Sequence, residues 1–379
     1  MNEVLELARA RQEAVIELIR RLVESESPSG YESGSRSVVS LLEEYARSLH
    51  SVKAIERIPV DAYGEHLRIH FAGSSGEDRK PILILGHTDT VHSVGSLAER
   101  PWRVDGNRIY GPGIFDMKAN CVMALEAVRA VESIALNRPV VLLLTCDEET
   151  GSATGRALVE EEAAHAKAVL VLEPPAPGGV VKTGRKGTGL FSVAAKGIAA
   201  HAGLEPEKGA SAVLEMARQI ERLHSMTDFS KGTTVNVGVV QGGTRPNVIA
   251  ENATAEVDLR FTTSNEGERL EKEILTSKAF DERVRLTISG GVNRPPMERN
   301  ERALSLFEVA RGVAAEIGFE LRETQVGGAS DGNFAAAIGA AVLDGLGIDG
   351  DGAHAAHEHI VVDDIPRRTA LLAGLLMSL

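Results

Sequence analysis

Four short segments of this chain place histidine or carboxylate side chains where an apolar run breaks into a loop. Gly86-His87-Thr88-Asp89 follows Pro81–Leu85, Cys146-Asp147-Glu148-Glu149 follows Val140–Thr145, and Glu173-Pro174 ends the run 168–172. A Gly111-Pro-Gly-Ile-Phe-Asp116 turn delivers a further carboxylate just ahead of a helical stretch. Each piece alone has a plain structural reading: a solvated turn for His87 and Asp89, a helix cap for Asp116, an acidic surface turn for Asp147 to Glu149, a loop residue for Glu173. Together they point to metal chemistry. Imidazole with several carboxylates is a donor set suited to zinc, with cobalt or manganese as substitutes. Three adjacent acids after a buried strand repel one another unless cations or protons offset them. Asp89 is placed to accept the second N–H of the His87 imidazole, as metal-bound histidines require.

A last histidine comes from Gly350-Asp-Gly-Ala-His354-Ala-Ala-His357-Glu358-His359, where His354 is the preferred ligand and His357 the alternative. No His-Glu-x-x-His helix and no Gly-x-x-x-x-Gly-Lys-Ser/Thr loop occurs, so neither that metalloprotease type nor ATP chemistry has support.

This ordered set of motifs resembles the metallopeptidase family of glutamate carboxypeptidases. That family also holds aminoacylases, acetylornithine deacetylase, succinyl-diaminopimelate desuccinylase and aminotripeptidases. The likeness continues through Ala200-His201-Ala202-Gly203, Gly242-Gly243 ahead of Asn247, Asp258-Leu-Arg260, Gly327-Gly328-x-Ser330-Asp331 and Gly352-Ala-His354 with Glu358. The resemblance implies two zinc ions bridged by Asp116, with His87 and Glu173 completing one site and Glu149 and His354 the other. It implies Glu148 as general base, Asp89 as a supporting catalytic residue, and His201, Asn247 and Arg260 as substrate-facing residues, His201 in the partner subunit's site of a homodimer. The expected reaction is hydrolysis of an amide bond next to a free carboxylate, releasing a C-terminal amino acid, glutamate first, from a peptidyl or N-acyl donor. An N-acyl-amino-acid deacylase or a dipeptidase would share every metal residue. A non-catalytic binding protein on the same scaffold would lack ligands, yet all five ligand positions and Glu148 are filled.

The elements that must position these residues follow from periodicity. Helical spacing covers 3–24, 33–49, 117–134 and 153–163; strand-like runs cover 52–58, 65–72, 81–86, 140–145 and 168–172. Alternating strands and helices predict an α/β domain whose mixed, mostly parallel sheet lies between helices. After residue 183 the pattern becomes β-α-β-β-α-β, with strands at 187–197, 234–240, 253–261 and 283–289 and helices at 208–223 and 265–276. That order predicts a ferredoxin-like α+β insertion, which the resemblance makes a lid and dimerisation domain. The expected division is 1–183 and 292–379 for the catalytic domain and 184–291 for the insertion.

Bulk properties narrow the partners. A net charge of −13 argues against nucleic acid, since phosphate neutralisation needs surplus Lys and Arg. Two cysteines make no disulfide framework. The apolar positions of 1–22 are interrupted by charges, so neither a signal peptide nor a membrane span is expected there. A soluble, cytoplasmic protein is the expectation.

Overall fold

The computed structural model describes residues 1–74, 79–132, 134 and 136–379. Contacts divide the chain into two compact units: Met1–Gly184 with Arg299–Val326 and Ser330–Leu379, and Arg185–Glu298 with Gly327–Ala329.

The first unit is built on a six-stranded sheet. Its strands are β1 (Val52–Val60), β2 (Gly64–Phe71), β3 (Ile82–His87), β4 (Val140–Thr145), β5 (Ala168–Val171) and the short strand Val342–Leu343, in the order β1-β2-β4-β3-β5-(342–343). β1, β2 and β4 pair antiparallel, while β4, β3, β5 and 342–343 pair parallel. The parallel strands are apolar without alternation because both faces are covered; every residue of β3 and β4 is buried. The helix Ala119–Glu132 is likewise buried on nearly every side and packs on the C-terminal helix Asp364–Ser378. Residue 133, inside the expected helix 117–134, lies outside the described residues.

One sequence expectation needs correction here, and two small sheets need adding. The helix expected over 3–24 is two helices, Asn2–Ala10 and Gln12–Glu24. The break falls at Arg11, whose guanidinium turns to the Glu126 carboxylate, buried to 4% exposure, with Nε–Oε2 3.0 Å. The short strands Arg103–Asp105, Arg108–Tyr110, Gly350–Asp351 and His359–Val361 form a sheet of their own, and Val181–Arg185 pairs with Glu323–Val326. With two to five residues each, these strands carry no readable period.

The second unit runs β6 (Gly187–Lys196), helix Ala212–His224, β7 (Thr234–Gly242), β8 (Asn252–Phe261), helix Ser264–Leu275 and β9 (Arg285–Arg294). Its sheet is antiparallel throughout, ordered β7-β8-β6-β9. β8 alternates exposed and buried residues along most of its length, as a sheet with one covered face requires. Phe191, Leu259, Phe261 and Leu270 belong to a separate apolar core. The unit extends past residue 291 because Arg185 and Met297 exchange backbone hydrogen bonds of 2.9 and 3.0 Å, tying entry to exit. Among the described residues no helix is long and apolar enough to cross a membrane.

Candidate metal centre

β3 ends at His87, so its imidazole stands at the carboxyl edge of the parallel strands, where α/β sheets gather ligands. The ring is fully buried and its orientation is set from behind. Nδ1 lies 2.9 Å from the Asp89 carbonyl oxygen and 3.4 Å from Asp89 Oδ1. The nearer acceptor is thus the Asp89 backbone, while the carboxylate does other work. Its Oδ1 accepts the Glu148 N–H at 3.2 Å, and Oδ2 accepts the Glu149 N–H at 3.1 Å and the Ser29 hydroxyl at 2.6 Å.

Asp116 arrives on the Gly-Pro-Gly turn in non-helical backbone, φ −119° and ψ 91°, just before the helix Ala119–Glu132. Gly113 makes that turn possible: at φ +69° it occupies the left-handed region, and a Cβ there would sit 2.4 Å from Thr90 Cγ2. The Asp116 carboxylate faces two histidines. Its Oδ1 is 3.1 Å from His87 Nε2, and its Oδ2 is 3.4 Å from His354 Nε2. His354 Nε2 also approaches Glu149 Oε2 at 3.2 Å, and Glu173 Oε1 lies 3.6 Å from His87 Nε2. His357 instead points at Asp351, 3.7 Å away. Of the two candidate histidines, His354 is the one that joins the carboxylates.

The acids after β4 are sorted by a turn. Glu148–Thr150 is a single 3-10 turn, closed by N–H groups of Thr150 and Ser152 on the Asp147 carbonyl at 3.3 and 2.9 Å. Side-chain alternation of an extended strand therefore does not separate Glu148 from Glu149, because the chain has already left the sheet. Asp147 is buried, its Oδ2 taking the Thr154 N–H and hydroxyl, both at 2.7 Å. Glu148 groups with His87 and Glu173, and Glu149 with His87 and Asp116, each set holding donor atoms within 4.8 Å of one another.

His354 reaches this cluster through the small sheet. His359–Val361 pairs antiparallel with Arg108–Tyr110, His359 opposite Tyr110, bringing the 350s loop beside the Gly111–Asp116 turn. Glu358 locks the two together. Its buried carboxylate accepts N–H groups of Gly113, Phe115 and Asp116 at 2.8, 2.9 and 3.0 Å, and pairs with His92 Nε2. His354 itself adopts left-handed backbone, φ +65°, a conformation that costs a non-glycine residue and is held by its surroundings.

The electrostatics fit cation binding. Burial opposes ionisation of Asp116, but hydrogen bonds from His354 and His87 outweigh it and hold the carboxyl well below its usual range. Burial pushes Glu149 upward, and its Oε1 is buried with no hydrogen-bond partner among the described residues. Bonds to Asp116 and then Glu149 raise His354 to about 10. His87 is raised as well, its bonds to Asp116 and Asp89 outweighing burial. Several carboxylates crowded on two imidazoles, with an unsatisfied buried oxygen among them, form a donor set that divalent cations would complete.

Sequence reasoning did not single out three supporting residues. His66, on β2, accepts the Cys146 N–H at Nδ1 (3.1 Å) and meets Thr154 Oγ1 at Nε2 (3.0 Å), bracing the acidic turn from the side. His92 backs Glu358, and Ser29 backs Asp89. None carries a local signal, as each acts on a segment distant in sequence. Asp331 of the Gly-Gly-x-Ser-Asp motif takes the Thr145 hydroxyl at 3.0 Å and the Ser152 hydroxyl, fixing both ends of the same turn.

The remaining predicted residues lie in the second unit. His201 is exposed, its Nδ1 accepting the Gly203 N–H at 3.1 Å, and Asn247 is exposed next to it through the Ala202 N–H on the Asn247 carbonyl at 3.0 Å. Arg260 is held by Asp258 in a two-pronged pair, Nε–Oδ1 2.9 Å and Nη2–Oδ2 2.8 Å.

Comparison with known proteins agrees with this architecture. A family model described as Peptidase family M20/M25/M40 matches residues 83–378. Carboxypeptidase G2 of Pseudomonas sp. (strain RS-16) is 30% identical over 387 residues, covering 100% of this chain and 92% of that protein. Acetylornithine deacetylase of Myxococcus xanthus is 31% identical over 314 residues, 79% of this chain and 80% of its own. Among solved structures, aminopeptidase PepT from Bacillus cereus shares the fold with a TM-score of 0.77 at 21% identity, over 96% of this chain and 98% of that one. With a family match that spans most of its length and a relative 30% identical along all of it, this chain belongs to the hydrolases of peptidase family M20/M25/M40.

Proposed function

We propose that the protein is a two-metal amidohydrolase that releases a C-terminal amino acid, glutamate first, from a peptidyl or N-acyl donor. The observation that carries this reading is the Asp116 carboxylate, whose two oxygens face His87 and His354 separately. His87, Asp116 and Glu173 would hold one ion, and Asp116, Glu149 and His354 the other. Bound there, two divalent cations, zinc first with cobalt or manganese as substitutes, would acidify a shared water and polarise the scissile carbonyl.

The chain's own residues supply the proton traffic. The Glu148 carboxylate accepts a proton from the attacking water and returns it to the leaving nitrogen, a role that needs a group beside the donors but not spent on them. Asp89 holds the backbone on which Glu148 and Glu149 sit. From the second unit, which we assign as lid and dimerisation module of a homodimer, His201 would donate to the developing oxyanion, and Asn247 and Arg260 would bind the substrate. Arg260 keeps N–H groups outside its Asp258 pair for a substrate carboxylate. The 30% identity to carboxypeptidase G2 over the whole chain supports release of a C-terminal residue. The acetylornithine deacetylase relative supports a second reading, removal of an acyl group from an N-acyl amino acid.

Two measurements test this. Glu148→Ala should lower kcat by about 10²–10⁴-fold with metal content unchanged; loss of metal instead would make Glu148 a ligand. Glutamate release from N-acyl and folate-type glutamates, set against deacylation of N-acetylornithine under the same metal loading, separates the two readings by kcat/KM.

A further inference from the structure

The carboxyl ends of β3 and β4 build the metal centre; the opposite end of the same sheet opens on a cavity of about 620 Å3. It lies where β5 begins at Ala168 and where Ala340 and Ala341 lead into the strand Val342–Leu343. The volume falls in the range of small-molecule sites, which are mostly apolar with a few placed polar groups. Its walls follow that pattern. Alanines 163, 164, 166, 168, 340 and 341 leave the space open, and Leu306, Val309 and Ile338 add aliphatic surface. Ile338 is 45% exposed, so its side chain is accessible to a ligand in the cavity.

The charge of the cavity runs against that of the chain. Overall Asp and Glu outnumber Lys and Arg by 54 to 41, yet the described lining holds Lys80, Lys167 and Arg302 and no acidic side chain. Leu379 also lines it, and Arg138 Nε donates to its backbone oxygen at 2.6 Å. Arg302 is fixed at the rim by donating from Nη1 to the Gly339 carbonyl, which leaves its other N–H groups for a ligand. Three cations around aliphatic walls select a ligand with a charged head and an apolar body.

We propose that this cavity binds a small amphipathic carboxylate, its head on Lys167 and Arg302 with Lys80 nearby and its aliphatic chain against Leu306, Val309 and Ile338. The site is separate from the metal centre, and the inference does not depend on which amide that centre cleaves.

Isothermal titration of octanoate into the metal-loaded full chain tests it, with acetate, octylamine and inorganic phosphate as comparators. Carboxylates can also reach the metal centre, so the variants carry the assignment. Octanoate should bind at least about tenfold tighter than acetate, and octylamine should not bind. The double variant Lys167→Ala/Arg302→Ala should weaken octanoate about tenfold or more, as loss of hydrogen bonds to a charged head requires. Ile338→Asp, at an exposed position, should do the same, and hydrolase activity should be unchanged in both. Equal affinity for acetate and octanoate, tighter binding of phosphate than of octanoate, or undiminished octanoate binding in both variants would overturn the proposal.

Discussion

The Asp89 carboxylate holds the backbone of Glu149, with Oδ2 3.1 Å from the Glu149 N–H. Its other oxygen takes the neighbouring N–H of Glu148, so one side chain from the loop after β3 sets the position of the acidic turn after β4. The same residue's carbonyl aims the His87 ring. His87 at the end of one strand and the Glu148–Glu149 turn after the next are thereby registered against each other.

Asp89→Ala should therefore act on more than His87. Two partly buried backbone N–H groups lose their acceptor, at no more than about 1–3 kcal/mol each, and the Glu148–Glu149 turn loosens. Metal content measured after dialysis should fall together with kcat. An Asp89→Ala protein with full metal and normal kcat would show that the turn needs no such support.

Glu358 is a structural counterpart at the other edge. Removing a buried carboxylate that accepts three backbone N–H groups should cost about 3–5 kcal/mol in Glu358→Ala. Glu358→Gln, which keeps one acceptor oxygen, should lose less. Denaturant melts give the order, and a Glu358→Ala protein as stable as the parent would remove the clamp from the account.

His354 and His357 are three residues apart and should behave differently. On the proposed two-metal reading, His354→Ala should lower bound metal from two equivalents toward one and depress hydrolysis strongly. His357→Ala should leave metal content unchanged, since its ring pairs with Asp351 outside the cluster. Elemental analysis of the two purified variants decides; the reverse outcome would move the ligand.

Away from the centre, Glu323 is held below its ordinary value of 4.5, first by its bond to Arg299, with burial opposing and the Thr183 hydroxyl adding to the depression. A depressed carboxyl contributes stability above its unfolded pKa and loses it as pH falls through the folded one. Because Arg299 is exposed, solvent screening keeps the pair's contribution small. Glu323→Gln should thus be slightly less stable at pH 7, and the gap should close as pH falls below about 4. A gap that persists in acid would assign the loss to packing.

Much of the scaffold could be read in advance. β3 and β4 are continuous apolar runs, and β8 alternates, so burial on two faces and on one face are written locally. The N-terminal break at Arg11 leaves no local signal, and the residue's partner there, Glu126, lies on a helix more than a hundred residues away. The small sheet that carries His359 to Tyr110 was hidden for a similar reason, its strands being too short to show a period.

The sequence by itself determined which side chains are chemically able to hold cations and which strands end in them, because donor type and hydrophobic period are local properties. Only the tertiary structure decided how they meet. It turned Asp147 into a buried support, faced Asp116 to both His87 and His354, and left His357 aside. Those outcomes depend on Glu358 and Asp89 bonding to backbone groups brought close by folding, and contacts between distant segments leave no spacing for a linear reading to find.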